Sequence, residues 1–421
     1  MFANLKGLFS PTNKDLRKRI LFTLGCLAIF ALGTNIMVPG AKEITQNLGF
    51  LELLNLMSGG GLKSFSVFAL GVGPYITASI ITQLLQMDII PYFKELKEQG
   101  ATGRQKINRI NRYLGIIFAF IQGYILTIVY MKGMSSLDIL KTTVVMTAGT
   151  CFLLWLGDQV TTKGIGNGIS LLIMAGIIQS MPSMFVTTFQ SLVTSGSYST
   201  VVGSLLFALF VMVYILIILG VVFIQLAERR VPIQYSNRTN SAYGAQTSYL
   251  PIKLNPAGVM PVIFAQTLLA IPTTIVALVG NDAAKNFVNN YITYTSPTGF
   301  ILYVILILFF GYFYTFMEMN PEEMSKNLNK NGGYIPGVRP GADTTDYISK
   351  VIGRLTIVGS IFLVIIAGLP IIFSKFSGLP SSVTIGGTGL LIVVGVAIET
   401  YKQLESSLVS RSYREGRRHR R

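Results

Sequence analysis

The stretch SGGGLKSFSVFALGVGPYI, residues 58–76, decides how this chain is read. It lies in a sequence that is 51% hydrophobic and only 12% charged, yet three adjacent glycines, Lys63 and Pro74 make it a poor uninterrupted transmembrane helix. Gly59, Gly60 and Gly61 weaken helix formation, and a proline in a helix interior cannot donate the usual backbone hydrogen bond. Irregular backbone at membrane depth is tolerated only where protein buries it or where it borders a watery cavity. Close helix packing accounts for many of the chain's 42 glycines. It accounts less well for a triple glycine beside a lysine that leads into a proline-bearing span.

Working outward, apolar runs of about 16 to 26 residues, long enough to cross a hydrocarbon core about 30 Å thick, recur along the chain. They lie near residues 20–38, 67–87, 113–131, 142–157, 169–186, 201–226, 257–279, 299–317, 355–373 and 384–401. The expected fold class is an all-α polytopic membrane protein with ten transmembrane helices, and an even number puts both termini on one side. Of the 34 lysines and arginines, all but Lys42, Lys63, Lys132, Lys141, Lys285 and Lys375 fall in 1–19, 88–112, 158–168, 227–256, 318–354 and 402–421. Basic loops stay inside, so both termini and these loops are expected to be cytoplasmic. The first run is long and nine follow it, which favours an uncleaved first span over a secretory signal peptide. The net charge of +16 then belongs to one membrane face, where it sets topology and attracts anionic lipid.

The span centres carry no acidic residue. Asp88, Asp158, Glu228, Glu318 and Glu399 all fall at predicted ends, which argues against a proton-coupled or ion-coupled transporter with side-chain ligands. Cys26 and Cys151 lie in apolar runs and read as small hydrophobes. The single histidine, His419, sits in the basic tail, so no metal site is expected. No nucleophile and base pair, no H-E-x-x-H and no nucleotide-binding loop is present. An enzyme is not expected, no cofactor is implied, and any energy source must come from elsewhere.

GVGPYI at 71–76 has an echo in GVMPVI at 258–263, and both open a span. A weaker echo joins GISLLI at 168–173 to GLLI at 389–392. The members of each pair lie five spans apart and run in opposite directions, as two inverted five-span halves would produce. In such an architecture the functional path lies at the interface, lined by Gly/Pro-interrupted helices.

Five segments carry a resemblance that spans nearly the whole chain: SGGGLKSFSVFALGVGPYITASIITQLL, WLGDQVTTKGIGNGIS, NPAGVMPVIFA, NPEEMSKNLNKNGGYIPGVRPG and GGTGLLIVVGV. In this order they are similar to the signature segments of the SecY family, the channel subunits of the bacterial protein translocon. The similarity is weakest in the external loops and in the hairpin region after the sixth span. It implies a clamshell of two inverted five-helix halves, 20–186 and 201–401, around a central pore, with a lateral gate toward lipid. Ser58, Gly59, Gly60, Gly61, Leu62, Lys63, Ser64, Phe65 and Ser66 would form the plug, a short external helix folded into the funnel. Modest helical propensity and few deep anchors suit such a part. Val72, Ile76, Ile173, Ile177, Ile263 and Ile392 would form the pore ring. A narrow apolar constriction gates by dewetting and can close around an extended chain of any sequence. Gln83, Gln122 and Thr267 would form a polar cluster at the gate seam, held by hydrogen bonds of about 1 to 2 kcal/mol or less.

On the cytoplasmic side, 227–256 holds RRVPIQYSNR and SYLPIKLN, two extended pieces that suggest a protruding hairpin. In 318–354, Glu322 and Lys326 form a favourable i,i+4 pair on a short helix. NGGYIPGVRPG ends that helix and sets Arg339 on a constrained turn. The resemblance implies that these loops receive the motor ATPase SecA or the ribosome, with Arg339, Arg238 and Tyr235 as contacts. It also implies the small subunits SecE and SecG as partners, and signal sequences and unfolded polypeptides as cargo. The chain would be a multi-pass protein of the bacterial plasma membrane that passes secretory chains across and releases hydrophobic segments sideways. The competing reading is an inverted-repeat small-solute secondary transporter, which would need a saturable midplane site with polar ligands. The tail RSYREGRRHRR, within 402–421, could touch anionic lipid or RNA.

Overall fold

The computed structural model of the chain describes residues 14–44, 51–86, 90–131, 133–194, 199–235, 248–279, 282–293, 296–377 and 381–418. In chain order the helices are α1 (Lys14–Gly33), α2 (Glu52–Met57), α3 (Gly73–Leu85), α4 (Pro91–Glu98), α5 (Ala101–Tyr130), α6 (Ser136–Lys163) and α7 (Gly168–Phe189). A π-helical turn at Gln190–Thr194 follows, then α8 (Thr200–Leu226) and strands β1 (Glu228–Tyr235) and β2 (Ser248–Lys253). The chain continues through α9 (Met260–Val279), α10 (Asp282–Tyr291), α11 (Pro297–Glu318), α12 (Pro321–Lys330), β3 (Gly333–Tyr334), α13 (Ala342–Ser377) and α14 (Ser381–Arg418).

A helix falls on each of the ten apolar runs. Among the described residues six helical stretches are long and apolar enough to cross a membrane by length and composition alone: Thr102–Tyr130, Ser136–Lys163, Gly168–Thr194, Thr200–Leu226, Pro297–Lys330 and Ala342–Phe373. The second run is much shorter as a helix than as a hydropathy run, because 58–72 is built of turns and α3 begins only at Gly73. Pro74 is the second residue of α3, where its missing N–H costs nothing. It therefore starts the helix and does not interrupt it, contrary to the expectation of a helix-interior proline.

Local chemistry sets the ends of several helices. Asn167 caps α7 by accepting from the amides of Ile169 and Ser170, and Ser296 caps α11 by accepting from Gly299, with Pro297 next in line. Asn320 caps α12 through the amides of Glu322 and Glu323. These two carboxylates occupy the first turn and Lys330 the last, as the helix dipole favours.

By their internal contacts the helices group into two units. The first takes Met1–Phe207, Ala277–Gly280 and Leu379–Arg421, and the second takes Ala208–Val276 and Asn281–Gly378. The last long helix, α14, thus packs with the N-terminal part of the chain, against α7 and α2. In the second unit β1 pairs antiparallel with β2 from Glu228↔Lys253 to Ile233↔Ser248. β3 joins the other edge at Gln234↔Tyr334, giving the order β2-β1-β3. The hairpin is as expected. The third strand is an addition, since two residues of strand leave no periodicity to read. Val231, Ile233, Ile252, Leu328, Ile335, Ile348 and Ile352 form one buried cluster that fastens sheet, α12 and the start of α13 together.

Candidate functional site

Residues 58–76 are ordered by a dense set of backbone hydrogen bonds. Asn55 is the staple: its carbonyl accepts from the Ser58 hydroxyl at 3.1 Å and the Gly60 amide at 2.8 Å, and its Oδ1 accepts from the Lys63 amide at 3.1 Å. Gly59 and Gly60 take φ of 68° and 85°, so the triple glycine is the pivot of a tight turn. Residues 63–67 are clasped by the loop after α1. The Val38 amide donates to the Phe65 carbonyl and Val67 to Ile36, both at 2.9 Å, and Ile44 donates to Lys63 at 2.8 Å.

Two expectations for this segment are corrected. The nearest helix is α2, at Glu52–Met57, while 58–65 is turn and Ser66 bridges to Met37; the glycines that were to soften a helix exclude one. The segment is also deeply anchored, since Ser58, Phe65 and Ser66 are wholly buried and Leu62 is 1% exposed. Phe65 has φ of 46° and is the one non-glycine residue in that region among the described residues. Such backbone strain costs of the order of 1–3 kcal/mol.

The segment rests where three helices with expected ring residues meet. On α7, Gly176 lets the backbone approach closely: a Cβ there would overlap the Met57 carbonyl. One turn on, the Ser180 hydroxyl donates to Gly176 and to Leu56. Ile173 and Ile177, one turn apart on α7, are 7% and 1% exposed. Ile177 lies against Gly389 of α14, the helix that also carries Ile392 at 4% exposure. At the start of α3, Val72 is 2% exposed, Ile76 is half-buried, and Leu54 of α2 reaches Gly73. Five of the six ring candidates thus belong to the first unit. Ile263, 6% exposed on α9, belongs to the second.

The first echo is a structural one. Gly71 and Gly258 have φ of 55° and 59°, in the left-handed region that glycine alone adopts freely. The amide of each glycine donates three residues back, to Phe68 and to Asn255. Gly73 and Met260 do the same to Leu70 and Ala257, and Ile76 and Ile263 donate four back to Val72 and Val259. In both copies the helix starts at the third residue of the motif and the proline is its second residue. The second echo does not hold: Gly168 is the first residue of α7, whereas Gly389 lies inside α14, eight residues from its start at Ser381.

Gln83 and Gln122 sit on α3 and α5 of the first unit, and Thr267 on α9 of the second. Two of these side chains bond locally: Gln83 Nε2 donates to Ser79 Oγ at 3.4 Å and Thr267 Oγ1 to the Ile263 carbonyl at 2.8 Å. Gln83 Oε1 and Gln266 Oε1 are buried with no hydrogen-bond partner among the described residues. Sequence reading missed Gln266, although its polar side chain beside Thr267 in an apolar helix was a usable signal. It also missed the 2.7 Å ion pair of Arg112 and Asp158, which joins α5 to α6.

Between α12 and α13, Arg339 is exposed on a turn pinned from both sides. The Thr344 hydroxyl donates to the Arg339 carbonyl at 2.8 Å, and the Ser325 hydroxyl to Gly341 at 3.2 Å. The Glu322–Lys326 pair is present at 3.7 Å. Tyr235 is half-buried, its ring over Gly333, and Arg238 and His419 lie outside the described residues. Among the described residues no three His, Cys, Asp or Glu side chains gather.

Comparison with known proteins agrees along nearly the whole chain. The family model described as SecY matches residues 66–401. A protein translocase subunit SecY of Bacillus subtilis is 46% identical over 416 residues, covering 95% of this chain and 96% of that one. Its counterpart in Staphylococcus epidermidis is 47% identical over 428 residues, covering 98% and 99%. Among solved structures, a protein conducting channel matches with a TM-score of 0.69 at 22% identity, over 94% of this chain and 93% of that one. Sec61 in the canine ribosome-channel complex matches with a TM-score of 0.65, also at 22% identity and with the same coverage.

Proposed function

The chain belongs to the SecY family, and from that premise we propose that it is the central protein-conducting subunit of a Sec translocon. It passes unfolded secretory polypeptides across the membrane and releases hydrophobic segments laterally into lipid. The observation that carries this reading is the seating of α2 and the 58–66 turn against α7 and α14 and beside the start of α3, the helices that hold Ile173, Ile177, Ile392, Val72 and Ile76. A compact, buried segment against an aliphatic ring is what a sealed, dewetted pore needs. The names of the relatives support translocation and not the solute-transport alternative.

In this reading the halves 20–186 and 201–401 form the clamshell, with 58–66 and α2 as the plug. Ile263 completes the ring, and Gln83, Gln122 and Thr267 line the gate seam. The basic loops and both termini face the cytoplasm of a bacterial cell, as the distribution of lysine and arginine supports. The loops at 227–256 and 318–354 receive SecA or the ribosome, SecE and SecG brace the clamshell, and anionic lipid meets the basic face. Arg339 supports the docking role by its exposure on a fixed turn, whereas Tyr235 contributes by holding Gly333 and the sheet in place.

Two measurements test this. Planar-bilayer conductance of the purified complex should be silent for the wild type and leaky when 58–66 is deleted. Proteoliposomes supplied with the motor and ATP should protect a preprotein from protease, and Arg339→Glu should remove most of that protection without opening the resting channel. Saturable uptake of a small solute with both channels silent would overturn the proposal.

A further inference from the structure

We propose that α10 is an interfacial anchor that lies in the headgroup and acyl-chain boundary of the membrane face opposite the β-sheet. Its sequence, DAAKNFVNNY, divides cleanly at helical spacing. Asp282, Lys285, Asn286, Asn289 and Asn290 occupy one arc, and Ala283, Ala284, Phe287, Val288 and Tyr291 the other. Only part of the apolar arc is covered by this chain. Val288 is 6% exposed, while Phe287 and Tyr291 are 56% and 55% exposed, their rings 5.1 Å apart as one continuous aromatic surface.

Chain connectivity identifies what covers that surface. α9 ends two residues before α10, and α11, apolar enough to span the membrane, starts five residues after it. The helix is therefore confined to the level where two spans leave the hydrocarbon, on the face opposite the strands that link α8 to α9. The junction with α11 is also rigid. The Ile292 and Thr293 amides donate to the Val288 carbonyl at 2.9 and 3.0 Å, and Thr298 Oγ1 donates to Asn290 and Tyr291 at 3.3 and 3.1 Å. A Cβ on Gly299 would overlap the Thr293 carbonyl, so the turn packs directly on the first residues of α11. The aromatic pair is thus held at fixed height beside the exposed apolar start of α11, where Ile301 is 59% exposed. Aromatic side chains concentrate at that level of a bilayer, and a helix with this division lies in its plane, about 5–10 Å into the boundary.

The test places tryptophan at Phe287 in the full chain after its single native tryptophan, Trp155, is changed to Phe. The protein is reconstituted into phosphatidylcholine and phosphatidylglycerol vesicles. Phe287→Trp should emit at shorter wavelength than Lys285→Trp on the polar arc. Its emission should fall more with lipids brominated near the headgroup than with lipids brominated near the midplane, and acrylamide should quench it weakly. Tyr291→Trp, one turn along, should repeat the pattern if Phe287→Trp does not fold. Quenching by acrylamide but not by brominated lipid would put the helix in water, and protection from both would put protein on that face. Either result overturns the proposal.

Discussion

At 71–76 and again at 258–263 the chain makes one turn into a helix, with hydrogen bonds at matching offsets, yet what holds the turn differs. The carbonyl of each left-handed glycine accepts from a side chain. For Gly71 the donor is Thr150 Oγ1 of α6, at 3.3 Å and 79 residues away; for Gly258 it is Asn255 Nδ2, at 2.9 Å and three residues away. Asn255 also occupies the position that Phe68 occupies in the first copy. Phe68 is 6% exposed and stacks between Phe30 and Phe152, with centroids 6.3 and 5.9 Å away. The first turn is thus built into the packing of α1 and α6 and touches the candidate plug, whereas the second caps its own glycine, with the Leu254–Asn255 backbone lying along Gly359 of α13. The same backbone can serve one unit as a coupled part and the other as a local one.

The largest expected effect follows from the aromatic stack. Phe68→Ala removes a buried ring between two others and should cost about 3–5 kcal/mol, read as a lower midpoint in SDS titration of mixed micelles. Asn255→Ala at the matching position should cost several-fold less. Equal losses would mean that the second turn depends on tertiary packing after all.

The glycines themselves separate strain from crowding. Either Gly→Ala change forces a Cβ into the left-handed region, at roughly 1–2 kcal/mol. At Gly258 nothing lies within 4 Å of that Cβ, but at Gly71 it meets the Ser58 Cβ at 3.3 Å. Gly71→Ala should therefore push on the segment at 58–66 and raise resting ion conductance, whereas Gly258→Ala should leave conductance unchanged. A leak from both variants, or from neither, would break the coupling assigned to the first turn.

These two turns also show which parts of the molecule sequence could reveal. Glycine with positive φ and a proline three residues on are backbone requirements, so GVGPYI and GVMPVI announce their geometry in the residues themselves. GISLLI and GLLI share only apolar side chains, which fit the start of α7 and the interior of α14 equally well; their likeness carried no backbone information. The candidate plug was legible as a place but not as a shape, because three glycines fix where a helix stops and the helix proper lies before them, at Glu52–Met57. β3 was invisible because its two residues are strand only through Gln234 and Tyr235 of β1. The local bonds of Gln83 and Thr267 were equally hidden, since a polar residue in an apolar run does not say whether its partner is across a seam or one turn back on its own helix.

The smallest effects probe the two carbonyl caps. Thr150→Val removes a bond at the long end of the hydrogen-bond range, which has a partner so distant in sequence that losing it loosens α6 from the turn. A net loss near 0.5 kcal/mol is expected. Asn255→Ala removes a shorter bond and should cost about 1 kcal/mol, yet its consequence should stay local. Amide hydrogen exchange distinguishes the two better than stability does. Thr150→Val should speed exchange at Gly71, Gly73 and Ile76 and also through the neighbouring turn of α6. Asn255→Ala should speed exchange only at Gly258, Met260 and Ile263. If instead Asn255→Ala gave the wide spread of exchange and Thr150→Val only a local one, the first turn would be the self-contained one, and the assignment of coupled and local roles would have to be reversed.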